Sequence, residues 1–121
     1  MSGIRSSETK IEKAVFRELR RAKVHFQKNH VRTLGKPDVA LPRRKKAVFI
    51  DGDFWHGYAY EKKMKKLPRF WRAKIKANMK RDKRQRAKLR RNGWKVLRVW
   101  EHEIYENFIE AVIKILIFLG E

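Results

Sequence analysis

Asp51, Asp53 and His56 crowd the end of a short apolar run, Phe49-Ile50, with Gly52 and two large aromatics, Phe54 and Trp55, between them. A further carboxylate, Asp38, follows Pro37 a hairpin's length earlier. These are residue types that can break a phosphodiester. Near neutral pH the reaction needs a cation to neutralise charge developing on the phosphate and the leaving oxygen, and a group that orients or deprotonates water. Mg²⁺ takes oxygen ligands and keeps several waters, so one or two carboxylates plus a substrate phosphate suffice. Asp38 and Asp51 are the candidate ligands, because two neighbouring antiparallel strands can bring the start of one beside the end of the next. His56 is the candidate proton acceptor, since imidazole titrates close to neutral pH. A lone loop histidine is ordinarily structural; the carboxylates and aromatics around His56 favour function. His25 and His30 lack such company and read as structural or surface residues.

The rest of the composition supplies a matching substrate class. Lys and Arg number 33 against 13 Asp and Glu, a formal net charge of +20 on 121 residues. Such an excess destabilises a compact state unless a polyanion relieves it, which makes nucleic acid the leading partner; the plainer reading is the Lys-rich surface of a thermostable protein. With no cysteine, disulfides and thiolate metal sites are excluded. The most apolar stretch, Ile109 to Leu119, is too short to span a bilayer and contains Glu110 and Lys114. A cytoplasmic protein with no membrane partner is expected, folded as one domain over residues 1–121.

The elements that must position these groups follow from periodicity. Ser6-Ser7 are candidate caps for a first helix with the stripe Ile11, Val15, Leu19 and Ala22, and Glu12 lies near its edge. Val24 to Val31 reads as a weak strand, Leu34 to Pro37 as a turn, Asp38 to Leu41 as a short strand, Pro42 to Lys45 as a basic turn and Lys46 to Asp51 as a buried strand. After a Lys- and Tyr-rich loop from Tyr58 to Lys66, Pro68 suits the first turn of a helix running to about Arg91, stopped by Asn92-Gly93. Its inward stripe is Phe70 or Trp71, Ile75, Asn78 or Met79, Asp82 and Leu89; Asn78 and Asp82 share a face and can reach into a site. Basic residues including Lys74 and Arg81 cover nearly every other face, suited to phosphate contacts that carry no sequence information. Trp94 to Trp100 alternates as a strand, and Glu101 to Leu119 closes the chain as one helix with the stripe Ile104, Phe108, Val112, Ile115 and Leu119. Ile113, Ile117 and Phe118 widen that stripe, either as extra core or as a dimer contact. The pattern αβββαβα gives an α/β mixed sheet of about four strands flanked by helices, its last two strands parallel across a helical crossover.

With these motifs in order, the chain resembles the very-short-patch repair (Vsr) endonuclease family, within the restriction-endonuclease-like PD-(D/E)xK superfamily. The resemblance runs through Ile11-Glu12-Lys13, Gly35-Lys36-Pro37-Asp38, Val48 to His56, Phe70-Trp71, Lys76 to Asp82 and Gly93 to Glu101. It implies a Mg²⁺-dependent endonuclease, with Mn²⁺ as a substitute, acting on double-stranded DNA at or near a T:G-like mismatch. Asp38 would be the central metal ligand, Asp51 a second ligand or a charge partner of His56, and His56 the base that activates water. Glu12 would orient a metal-bound water or His56, while Asn78 and Asp82 support the site, a set similar to that of the EDxHD nucleases. Phe54, Trp55 and Trp71 look like the family's aromatic wedge, with Lys74, Asn78 and Arg81 beside them on the DNA. Read from the residues alone, Trp55 and Trp71 are equally candidates for the core, and Trp94 and Trp100 are better ones.

The chain departs from the best-known Vsr enzymes where those hold a structural zinc. The matching positions here are Asp53, Tyr58, Tyr60 and His102, so no structural zinc is expected, and Asp53 and His102 are expected to pair directly. A histidine usual at the end of the third strand is Asp51 here. Other readings are a homing, restriction-associated or structure-directed nuclease, a DNA-binding module that does not cut, and an RNA-binding protein. One site per chain suits nicking by a monomer, and a homodimer through the last helix would suit cutting both strands.

Overall fold

In the computed structural model, residues 10–58, 62 and 66–121 are described. The Ser6-Ser7 cap, Tyr60 and most of the loop from Tyr58 to Lys66 lie outside these residues. The chain runs α1 (Lys10–Arg21), β1 (Gln27–Lys28), β2 (Val39–Leu41), a 3-10 turn (Pro42–Arg44), β3 (Lys46–Asp51), α2 (Arg69–Arg91), β4 (Lys95–Trp100), α3 (Glu101–Glu106) and α4 (Phe108–Gly120). The sheet order is β1-β2-β3-β4. Strands β1, β2 and β3 pair antiparallel, and β3 pairs parallel with β4 across α2, as the crossover requires.

Every residue of β3 is buried, which a strand flanked on both sides and covered on both faces must be. Its alternation splits the interior in two. Val48 and Ile50 join Val39 and Val99 against Val15, Phe16 and Leu19 of α1 and Ile115 and Leu119 of α4. Ala47 and Phe49 point the other way, towards Leu89 of α2, with Leu34, Trp94 and Val96 around them. Asp51 continues that second set by the two-residue period of a strand, and so faces α2.

Two expected elements are shorter than the sequence suggested. The Val24 to Val31 strand reduces to Gln27–Lys28, because Lys23 and Asn29 adopt left-handed conformations, φ 62° and 48°. The last helix breaks at Asn107, whose φ of −152° and ψ of 76° are extended; asparagine is a weak helix former because its amide competes for the backbone. Ile113 and Ile117, on the outer side of α4, stay 48% and 60% exposed, so they add nothing to the core. The C-terminal end of α4 is held instead by cations: Lys46 Nζ donates to the carbonyls of Phe118 and Leu119 at 3.0 and 3.1 Å, and Arg44 to that of Leu119 at 2.9 Å. Positive charge is favourable there because the last-turn carbonyls lack helical partners. No helix among the described residues is long and apolar enough to cross a membrane.

Candidate active site

Three elements converge where β3 ends. Antiparallel pairing of β2 with β3 sets Asp38 beside the end of β3, and its Oδ2 accepts the Ile50 N–H at 2.6 Å. Asp51 is 2% exposed and is gripped by two arginines. Arg86 of α2 donates through both terminal nitrogens, at 2.6 and 2.9 Å, and Arg98 of β4 through Nε at 2.6 Å. A fork of this kind is among the stronger hydrogen-bonded ion pairs. Burial raises the Asp51 pKa, but the Arg86 hydrogen bond and the charges of His56, Arg86 and Arg98 outweigh it, so the carboxyl sits below its ordinary 3.8.

His56 is placed by a tight loop after β3. The loop closes on α2 because Gly57, at φ 79°, lets the backbone approach Met79: a Cβ there would fall 2.3 Å from the Met79 sulfur. Asn78 Nδ2 donates to the Trp55 carbonyl at 3.1 Å, pinning the same loop from the helix. Asp82, one turn further along α2, stands with Oδ2 2.5 Å from His56 Nδ1, while Asp51 Oδ1 is 3.6 Å away. An ionised carboxylate only accepts, so the proton belongs on Nδ1, and Nε2 is left as the accepting nitrogen. Asp82 thereby fixes both the tautomer and the aim of the ring.

His56 divides two cavities. One, of about 480 Å³, is lined by Glu12, Glu101, Phe54, Trp55, Lys74 and Asn78. The other, of about 690 Å³, is lined by Asp38, Asp51, Asp82 and Arg86. Ile50, His56 and Arg81 belong to both. Glu12, 1% exposed on α1, thus lines the first cavity and Asp38 the second, with His56 on the wall of both.

The oxygen-rich donor set suits a hard divalent cation, and Asp51, His56 and Asp82 could hold a metal, offering one ligand atom each within 4.8 Å. All three already have partners, Asp82 and His56 being paired with each other. Both Asp51 oxygens take guanidinium hydrogens, and Arg98 Nη2 also lies 3.8 Å from Asp82.

The aromatics form a connected group, of which Phe54 and Trp55 line the first cavity. Ring centroids of Phe54 and Trp55 are 5.0 Å apart, those of Trp55 and Trp71 5.5 Å, and those of Phe70 and Trp71 5.2 Å, with Lys74 Nζ 5.7 Å from the Trp55 ring. Phe54 is 41% and Phe70 67% exposed, and none of the four belongs to either core cluster. In the same loop, Asp53 Oδ1 lies 2.9 Å from His102 Nδ1, the expected pairing, and Tyr58 packs on the His102 ring at 4.1 Å. A hydrogen-bonded pair thus ties the loop to α3.

Arg86, Arg98 and Glu101 escaped the sequence reading as site residues. Arg86 carried a signal: it falls on the stripe of Ile75, Asp82 and Leu89, and all four are buried. By sequence it is one more cation on a basic helix, whereas its charge is spent internally on Asp51. Arg98 shares a strand face with Val96 and Trp100, yet nothing local distinguishes it from an edge cation. Glu101 had no signal beyond its place after Trp100; its Oε1 accepts the Asp53 N–H at 3.3 Å.

A mixed four-stranded sheet with a carboxylate and imidazole site where β2 starts and β3 ends defines the restriction-endonuclease-like class of nucleases. The chain belongs, more particularly, to the Vsr family. The family described as DNA mismatch endonuclease Vsr matches residues 1–62. Type II nicking enzyme V.NmeDIP of Neisseria meningitidis serogroup C is 36% identical over 110 residues, spanning 88% of this chain and 74% of that protein. Type II nicking enzyme V.NaeI of Lentzea aerocolonigenes is 36% identical over 122 residues, 96% of this chain and 74% of that one. DNA mismatch endonuclease Vsr of Escherichia coli strain K12 is 32% identical over 105 residues, 84% of this chain and 66% of that protein.

Proposed function

We propose that the protein is a Mg²⁺-dependent DNA endonuclease, with Mn²⁺ able to substitute, that nicks one strand of a duplex at or beside a T:G-type mismatch. The observation that carries this reading is His56, oriented by Asp82 and set between the Glu12 and Asp38 cavities beneath a basic helix. When bound, the cation would neutralise charge on the scissile phosphate and lower the pKa of a water. Asp38 is its principal carboxylate in this reading. Asp51, expected as a second ligand or as a charge partner of His56, suits the second role, 3.6 Å from Nδ1, and the anchoring of Arg86 and Arg98, since two guanidiniums already balance its charge and would repel a cation.

His56 Nε2 accepts the proton of the attacking water, and Asp82 stabilises the imidazolium that results. Glu12, reaching the same cavity from α1, orients the water or the ring. Arg81, 48% exposed and lining both cavities, is placed to contact phosphate, as is Lys74. Exposed Phe54, with half-buried Trp55 and Trp71 packed against it, forms the wedge: such an aromatic group can enter a base step at an unstacking cost of roughly a few kcal/mol, offset by the added contact. A mismatched step costs less to open, which links the wedge to substrate choice. One site per chain suits nicking by a monomer.

The test is cleavage of end-labelled duplexes, matched or carrying each single mismatch, with Mg²⁺ or with EDTA. The reading predicts a single-strand nick that needs the cation and favours T:G. Cleavage of matched DNA at equal rate would move the assignment to a homing or restriction-associated nuclease, and tight binding without cleavage to a non-cutting DNA-binding module.

A further inference from the structure

A second groove lies along the β1 edge of the sheet, and its charge is one-sided. It measures about 1110 Å³, and among the described residues none that lines it is acidic, whereas Arg20, Lys28, Arg32 and Arg43 do. The sequence behind it is equally biased: from Leu19 to Ile50 there are ten Lys and Arg and a single acid, Asp38. The groove is also continuous with the active site, because Val31 and Arg32 line both it and the Asp38 cavity. Val31 is 73% exposed at this junction. Further along, Arg20 lies over the Phe26 ring with its Cζ 5.6 Å from the centroid, so the floor pairs apolar surface with fixed positive charge.

We propose that this groove is a track for the phosphate backbone of the DNA flank on one side of the scissile bond. The inference rests on the DNA reading of the active site and extends it: the substrate's duplex leaves the Asp38 cavity past Val31 and Arg32 and runs towards Arg20 and Arg43. Between the Val31–Arg32 junction and Arg20 the lining of the groove includes both residues of β1, Gln27 and Lys28. The flank therefore has to be longer than the few base pairs at the nick for the far end of the groove to be engaged. Arg20 and Arg43 are exposed and lie outside the catalytic cluster.

The experiment measures binding, not cleavage, with the full chain in EDTA and T:G duplexes whose flanks extend about 4 or about 12 base pairs, lengthened on one side at a time. Lengthening the correct side should tighten binding to the native protein by about tenfold, the scale expected of two or so phosphate contacts near 0.1 M salt. The Arg20→Gln/Arg43→Gln double variant should bind the short duplex as the native protein does, lose most of the gain from the long flank, and show a salt slope shallower by about 1.8 on that duplex. Its thermal melting should match the native chain. An equal gain in variant and native protein, or equal gains from both sides, overturns the track while leaving the active-site reading intact. No duplex binding by the native protein would overturn both.

Discussion

The two faces of the sheet are made from the same four strands and serve opposite purposes. Under α1 and α4, Val39, Val48, Ile50 and Val99 meet Phe16, Leu19 and Ile115 in a dry layer. Under α2, among the described residues, Ala47, Phe49 and Leu89 make a small buried apolar cluster, and the layer then turns into Asp51, Asp82 and Arg86, all buried. The first face gains stability from area removed from water. The second exchanges such burial for an ion network that costs desolvation and holds only while each charge keeps its partner. What the second face obtains is a fixed imidazole beside an open cleft. The alternation of a single strand, β3, thus divides stability from most of the chemistry, Glu12 of α1 being the exception.

If this division is right, substitutions on the two faces should have different signatures. The largest effect expected is on cleavage: His56→Ala should slow nicking per folded molecule by about 10²- to 10⁴-fold, the usual range for losing a general base, and should also lower the melting temperature because buried Asp82 loses its 2.5 Å partner. Arg86→Leu should lower stability by about 3–5 kcal/mol in urea unfolding, because it leaves Asp51 buried with half its ion pairs, and should also blunt cleavage. Ile115→Ala, on the dry face, should cost about 2–5 kcal/mol by cavity formation and leave cleavage per folded molecule unchanged. A smaller effect appears with acid. Asp51 has its folded pKa below 3.8, so the unfolded chain takes up that proton first; the stabilisation is complete above about pH 5 and is lost as pH falls through 3.8 towards the folded value. Melting temperature between pH 6 and 3 should therefore fall more steeply for the native chain than for Asp51→Asn. Smallest in stability is Trp55→Ala/Trp71→Ala, expected to cost less than Ile115→Ala because the pair lies outside both cores, while preference for T:G over matched duplex falls. Unfolding of that variant would return the tryptophans to a structural role.

Much of this division was legible in the sequence, and the limits have physical causes. The buried run Lys46 to Asp51, the helix from Pro68 to Asn92 and the parallel return of β4 follow from period, caps and crossover geometry. Asp82 shares a helix face with Ile75 and Asn78, and that shared face is what turns it inward. The partner of Asp82 is another matter: the pairing with His56 depends on a loop closing over Gly57, which no periodicity reports. Arg86 shows a different limit. A basic residue on a basic helix looks like one more phosphate contact, and only three-dimensional proximity to Asp51 reveals that its charge is used inside. The break at Asn107 was missed because the apolar stripe continues through it.

The most direct test of the account is single-turnover nicking of a T:G duplex in Mg²⁺ by native protein and by Asp38→Ala, with thermal melting of both. The account predicts that Asp38→Ala still melts cooperatively within a few degrees of native and still binds the duplex, yet cuts at least about 10³-fold more slowly, the scale of several kcal/mol of transition-state charge stabilisation. Cleavage by a folded Asp38→Ala at near-native rate would contradict it, and would place the cation, and with it the chemistry, elsewhere in the molecule.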